Sequence, residues 1–339
     1  MTLITFPTRV HFADDVVEVA LHSELQQFGC KSALMICEAS LVDTEFYERV
    51  MGGLTPLFQP SFLYLEEGTV LSEMGRSLPG LYDSPNLDAV IAFGSARALE
   101  MGRKARRSLQ DTTGRRPVLY AIPGVDGLPD PCMRNIENWR QGLPSVLIFD
   151  SALIRSATPQ QAISSAIVSL VRCIESYLSA AFNPPADGMA LDGLIRAITV
   201  LTASEFGSDI TLRRDLMAAC LNAAMAQEKG IGPTQLVSVA LASECHTVKI
   251  ADAARLLLPG IIKVTGHDSR KEAILQHIIA PDAPDLDQAL RQVLAHIPLS
   301  SRLSDMGTNP RNLHQAMQAI AGRDDITETA AAAALEDVF

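Results

Sequence analysis

Between Thr8 and Asp150 the apolar positions of the chain gather into short solid runs separated by stretches with helical spacing. The runs are Ser32–Cys37 (SALMIC), Ser61–Leu65, Ala89–Phe93, Pro117–Ile122 (PVLYAI) and Ser145–Asp150 (SVLIFD), with a shorter one around Thr8–Phe12. An apolar run of this length bounded by turn residues reads as a strand buried on both faces. Between the runs the spacing predicts helices over VVEVALHSELQQF, closed by Gly29 as a C-cap signal, and over Asp43–Gly53 and Val70–Leu81. Strands alternating with helices imply a parallel sheet with helices on both faces. The stretch Leu87–Ala105 organises this half. Its strand runs into Gly94-Ser95-Ala96 and then a helix whose first turn carries Glu100, and such a strand–loop–helix can hold phosphate on the free N–H groups at the helix start.

Past Asp150 the solid runs stop and amphipathic patterns rich in Ala, Leu and Gln continue to the end. The boundary falls near Ser151–Thr158, giving an α/β domain over 1–155 and an all-helical domain over 156–339. Thr158-Pro159-Gln160-Gln161 is a capping box with proline at the first helical position, so a helix starts there. Its apolar residues Ile163, Ala166, Ile167, Leu170, Val171, Ile174, Tyr177 and Leu178 recur at three- and four-residue spacing, as a core helix requires. Asn183-Pro184-Pro185 breaks it and opens the next helix, through about Ala203. Further helices are predicted near Arg213–Glu228, Pro233–Ala242, Ala251–Val264, Ser269–Ile279, Asp285–His296 and Pro310–Ala321, with Thr327–Asp337 as a last candidate.

Composition narrows the partners. With 339 residues, 47% of them hydrophobic, the chain is long enough for two cores. A net charge of −11 weighs against nucleic acid, whose sequence-independent affinity comes from Lys and Arg. The basic cluster Arg103, Lys104, Arg106, Arg107, Arg115 and Arg116 reads first as the solvated face of the helix after the loop and next as an interface patch, with nucleic-acid binding last, since no aromatic residue is interleaved with it. The six cysteines stand singly with no C-x-x-C pair, as in reduced cytoplasmic proteins. No secretory pattern opens the chain and no run approaches the roughly 18 apolar residues of a membrane helix, so a cytoplasmic protein without a membrane partner is expected.

An α/β half followed by a helical half, carrying TFPTRVHF, ALMICEASL, LDAVIAFG, IPGVDG, CIESYLSAAFNPPADGMAL, LLLPGII and LSDMG in this order, resembles the iron-containing alcohol dehydrogenase family along essentially the whole chain. The phrase Cys245-His246 adds a distant similarity to maleylacetate reductases. The resemblance implies a Rossmann-like, dehydroquinate synthase-like parallel sheet domain and an all-α domain. It also implies NAD or NADP in an interdomain cleft, a divalent metal that polarises a small alcohol or carbonyl, and a homodimer through the N-terminal sheet edge.

The departures from the family's pattern define the candidate site. The family's phosphate loop reads G-G-G-S-x-x-D-x-x-K, and here Gly94, Ser95, Ala96 and Arg97 fill its first four positions, with Glu100 and Arg103 at those of Asp and Lys. Glycine suits such a loop because a Cβ obstructs approach of the pyrophosphate. Arg97 is then either a phosphate contact or a solvated side chain. Glu38, ending the second strand, matches an acidic residue facing the adenosine ribose, where it would accept the hydroxyl protons and exclude a 2′-phosphate, favouring NAD; an acidic helix cap is the alternative. Gly124-Val125 replaces a Thr-Thr turn, and the region between Pro131 and Ser145 is short of a hairpin that carries a cofactor lysine. At the four metal-ligand positions that the resemblance implies stand Val168, Arg172 and, without gaps, Leu236 and Ile250, while a register with a deletion that matches Cys245-His246 puts Ala242 at the third, so no catalytic metal is expected. Arg172 is a permanent cation that could polarise a carbonyl in the metal's place, or an ion-pair partner of Glu175. His246 and His267 are candidates for proton relay to the alkoxide, or structural histidines. Three readings follow: a metal-independent NAD(P) oxidoreductase for a small alcohol or carbonyl, a non-catalytic homologue that binds or regulates, or a different enzyme on the same scaffold.

Overall fold

The computed structural model describes residues 8–68, 87–130, 143–203, 206, 209–245, 247–295, 297 and 302–318. The helices expected at Val70–Leu81 and Thr327–Asp337, residues 131–142 of the shortened region, and His246 lie outside the described residues. Two compact units take up the chain: the described residues of 5–157 with 207–217, and those of 158–206 with 218–339.

In the first unit β1 (Arg9–Ala13), β2 (Ser32–Glu38), β3 (Gln59–Leu65), β4 (Ala89–Gly94), β5 (Val118–Pro123) and β6 (Val146–Asp150) make one sheet, ordered β1-β6-β5-β4-β2-β3. Every neighbouring pair is parallel. The solid apolar runs are the central strands, with every residue of β4 and β6 buried, whereas the edge strands β1 and β3 are largely exposed. One face packs Met35, Ile91, Phe93, Tyr120 and Ile148 against Leu21 and Leu25 of α1 (Val17–Phe28). The helix α2 (Glu45–Gly52) starts two residues later than the spacing predicts, because Thr44 caps it by accepting from the Tyr47 N–H at 3.3 Å and Asp43 takes a left-handed φ of 64°. The helix α3 (Ala96–Thr113) lies on β4, β5 and β2, and a Cβ on its Gly102 would collide with the Ala92 methyl. Since α3 begins at Ala96, Glu100 stands in its second turn rather than the first.

The chain leaves β2 toward β3 on one side and returns to β4 on the other, so the order reverses between β2 and β4. In open parallel sheets the crevice outside the carboxyl ends at such a reversal is the ligand position, and here those ends are Glu38 and Gly94.

At the carboxyl end of β6, on the β1 side of the same sheet, Asp150 holds the start of α1. Its fully buried carboxylate accepts from the backbone N–H groups of Asp15 and Val16 at 2.8 Å and of Val17 at 3.0 Å, with the Arg49 guanidinium 3.3 Å away. Val16, the N-cap residue, has no side-chain oxygen for the task, so a distant carboxylate does it. Asp14, beside it, pairs with Arg214 and accepts from Ser151. The Arg214 and Ser151 hydrogen bonds hold the Asp14 carboxyl below its ordinary range.

The second unit is helical: α4 (Pro159–Leu178), α5 (Pro184–Thr202), α6 (Ile210–Ala226, shared with the first unit), α7 (Pro233–Glu244), α8 (Ile250–Val264), α9 (Ser269–Ile279), α10 (Leu286–Ala295) and α11 (Pro310–Gln318). The capping box forms as the sequence predicts: the Gln161 N–H donates to Thr158 Oγ1 at 3.3 Å, and Gln161 Oε1 accepts the Thr158 N–H at 3.0 Å. From Ser165 onward every residue of α4 is buried, which makes it the central helix of the unit. Its C-terminal carbonyls receive two ammonium groups. Lys271 Nζ donates to Tyr177 O at 2.6 Å and Ser179 O at 3.1 Å, and Lys229 Nζ lies 3.4 Å from Tyr177 O. Cations belong at this negative end of a helix, and Asp187 pairs with both lysines. Desolvation lowers the Lys229 pKa, and the like charge of Lys271 adds to that against the favourable bond to Asp187. Among the described residues no helix is long and apolar enough to cross a membrane.

Candidate functional site

The loop that ends β4 is built by backbone. Gly94 has φ +111°, a conformation that L side chains rarely adopt, and a Cβ there would collide with Glu38 Oε2 and Leu41 Cδ1. Its carbonyl accepts the Gly124 N–H at 2.8 Å, which ties the ends of β4 and β5 together. Ser95 is the N-cap of α3, its Oγ accepting the Arg97 N–H at 3.1 Å. The same hydroxyl donates to Glu38 Oε1, and the Ser95 N–H donates to Glu38 Oε2 at 3.2 Å. Thus Glu38, Gly94, Ser95, Ala96 and Arg97 come together at the reversal point, with the Glu38 carboxylate lying on the loop. Arg97 Nη2 reaches the Glu66 carbonyl at 3.5 Å. A turn further along, Glu100 pairs with Arg103, Nε to Oε2 at 2.7 Å, and with Lys104 at 3.7 Å. This pairing raises the Arg103 pKa.

The basic cluster on α3 is not one solvated face. Arg106 is buried at 2% exposure, and desolvation, with Arg116 and Arg103 nearby, pushes its pKa down to about 10. The mostly polar pattern of this helix hides that residue, because its sheet-facing positions Ala98, Leu99, Met101, Gly102 and Ala105 already account for the apolar stripe.

In the second unit the four positions at which the resemblance places metal ligands carry Val168, Arg172, Leu236 and Ile250. Val168 belongs to the core around α4, Leu236 is partly buried against the apolar cluster that α7 shares with α8, and Ile250 opens α8. Arg172 is buried at 7% exposure. With the Gln235 amide oxygen turned toward it, Arg172 donates from Nε at 3.2 Å and from Nη2 at 2.9 Å. Glu175, one turn along α4, accepts the Thr234 N–H at 2.6 Å and the Gln235 N–H at 3.4 Å. Its carboxylate is therefore the cap of α7, and a Cβ on Gly232 would collide with it. Sequence reasoning found Arg172 and Glu175 but missed Gln235. Gly232-Pro233 signals a helix start there, yet nothing local says which side chain that helix presents to α4.

His267 follows α8, its Nε2 hydrogen-bonded to Thr265 Oγ1, which also lies 2.9 Å from the Ile261 carbonyl. His246, the other candidate for proton relay, is outside the described residues. Cys245 beside it is half-buried, with Sγ 3.1 Å from Thr247 Oγ1.

These two centres suit different groups. The Gly94 loop has the backbone conformation and helix start that a nucleotide pyrophosphate uses, with Ser95 donors already engaged by Glu38. Val168, Leu236 and Ile250 offer no lone pair, and the guanidinium of Arg172 offers only N–H donors, so this set does not fit a divalent cation, which requires several N or O ligands.

Residues 162–338 match the family model "Fe-containing alcohol dehydrogenase family, C-terminal". The chain is 23% identical to the 4-hydroxybutyrate dehydrogenase of Cupriavidus necator, covering 91% of this chain and 90% of that one. Its fold superposes on the maleylacetate reductase of Agrobacterium tumefaciens with a TM-score of 0.81 at 18% identity, over 100% of this chain and 98% of that one. It likewise matches the sulfoacetaldehyde reductase of Bifidobacterium kashiwanohense, solved in complex with NAD+, with a TM-score of 0.79 at 14% identity over 100% and 98%. The parallel-sheet unit, the helical unit and a family match across more than half of the sequence agree: this chain belongs to the Fe-containing alcohol dehydrogenase family of oxidoreductases.

Proposed function

We propose that the protein is a cytoplasmic, NAD-dependent oxidoreductase that interconverts a small alcohol and its carbonyl without a divalent metal. The observation that carries the reading is Arg172, buried and held by Gln235 at a position where the family's pattern has a metal-ligating histidine. Its guanidinium is a cation that donates N–H groups in a fixed fork, so it can hold the substrate oxygen and stabilise the alkoxide charge that develops there. Burial strengthens that interaction, since little water competes for it. His267 and His246 are the side chains suited to take or return the hydroxyl proton. A bound nicotinamide nucleotide supplies the hydride acceptor or donor, with Gly94, Ser95, Ala96 and Arg97 as the residues that would meet its phosphates. The Glu38 carboxylate disfavours a 2′-phosphate, which supports NAD over NADP. The relative's 4-hydroxybutyrate points to short hydroxy acids as the first substrates to try.

The test is fluorescence titration of NADH and NADPH into the full chain, with and without zinc or ferrous iron, followed by turnover of 4-hydroxybutyrate and simple alcohols in chelator. NADH binding and turnover that ignore both metal and chelator are expected. Turnover that requires added metal would overturn the reading. One observation favours a second reading, a non-catalytic binding or regulatory homologue: the Ser95 donors of the loop are satisfied within the chain by Glu38. No NADH binding at millimolar concentration would put that reading first.

A further inference from the structure

We infer that the Glu38 carboxylate is an internal stopper of the nucleotide loop, and that a phosphate enters the loop only by displacing it. Glu38 reaches the loop from the neighbouring strand, 57 positions earlier in the chain. It takes both the backbone N–H and the hydroxyl of Ser95, the donors that sit at the start of α3. Its Oε2 and the Leu41 side chain cover the face of Gly94 that lacks a Cβ, the face through which a pyrophosphate would approach the backbone. An anion is stabilised at a helix start by these same N–H groups and by the aligned peptide dipoles. A carboxylate and a phosphate therefore compete for one place, and their like charges prevent them from sharing it.

The inference rests on the reading that a nicotinamide nucleotide uses this loop, and it adds a control on that binding. The apparent affinity for any phosphate ligand is reduced by the fraction of molecules in which Glu38 lies on Ser95. A ribose-accepting role for Glu38 alone would give the opposite sign, since its removal would then weaken the nucleotide.

Isothermal titration of the full chain with NADH and, separately, with inorganic pyrophosphate separates the cases. The chains compared are the wild type, Glu38→Gln and Glu38→Ala, each first shown to unfold cooperatively. Glu38→Ala is expected to bind both ligands about tenfold more tightly. Glu38→Gln is expected between the two, because its amide can still accept the Ser95 N–H but carries no charge; it also serves alone if the alanine variant does not fold. Unchanged binding of both ligands in both variants overturns the stopper and leaves nucleotide binding standing. Weaker NADH binding with pyrophosphate unchanged overturns it in favour of the ribose role. No binding of either ligand to any of the three chains overturns the stopper and the nucleotide reading together.

Discussion

The Gly94 loop and the surroundings of Arg172 depart from the same family's pattern, but with different structural results. The loop has Ser95, Ala96 and Arg97 where the resemblance implies two glycines and a small hydroxyl, yet it has a glycine at φ +111°, a capped helix start and a seam to β5. Where the resemblance places metal ligands, Val168 lies in the core around α4, Arg172 is buried, and Ile250 is exposed at the start of α8. A site made by backbone survives changes of side chain, because the chain's course is fixed by strands and helices beneath it. A site made by side chains has no such reserve, and substitution there turns it into something else.

The comparison is broken or sharpened most by Arg172. If its guanidinium replaces the metal's charge, Arg172→Ala should lower kcat by about 10²-fold or more, with Arg172→Lys recovering only part, while NADH affinity stays level. Equal turnover in Arg172→Ala would reduce this residue to packing. Next comes the test of backbone against side chain as the carrier of stability. Gly94→Ala must hold a left-handed conformation and push against Glu38 and Leu41, and a loss of about 3 kcal/mol is expected in urea unfolding.

Within the helical unit, Asp187→Asn leaves Lys229 and Lys271 facing each other without a counter-charge, and should cost about 2 kcal/mol. A pH series checks the same cluster. Because the folded protein lowers the Lys229 pKa, the unfolded chain holds more protons there between the lowered value and the ordinary 10.5. The Lys229 contribution to stability therefore rises with pH across that window, and Lys229→Met should remove that part of the slope.

The smallest effect belongs to Asp14. Its carboxyl is held below the ordinary 3.8 by Arg214 and Ser151, so its stabilisation is present above that value and disappears as pH falls through the lowered one. Asp14→Asn should flatten this acid limb by less than about 1 kcal/mol, read from melting temperature against pH.

Local rules account for most of the fold and little of the site. Thr158 and Gln161 are three residues apart, and the apolar run of β4 is contiguous, so capping chemistry and burial could be read directly. The shifts of α2 and β3 came from a left-handed Asp43 and from edge residues whose side chains are exposed, neither of which leaves a hydrophobic trace. The bonds that define the candidate site join remote positions: Glu38 to Ser95, Arg172 to Gln235, Glu175 to Thr234. Periodicity assigns each of these residues to an element but not to a partner, and the partner decides whether Glu38 faces a ligand or its own loop.

The grip of Asp150 on α1 gives the molecule a direction in time. Ribosomes deliver the chain from its N-terminus, and the carboxylate that closes the start of the first helix is 133 positions behind Val17. Until β6 has emerged and docked, α1 lacks this cap and its opening turn is held only by contacts already made. The helix α1 thus gains this cap only with β6, the last strand of its sheet in chain order. Shortened nascent chains that stop before Asp150 should show rapid hydrogen exchange at the Asp15, Val16 and Val17 amides, and extension past the strand should slow it.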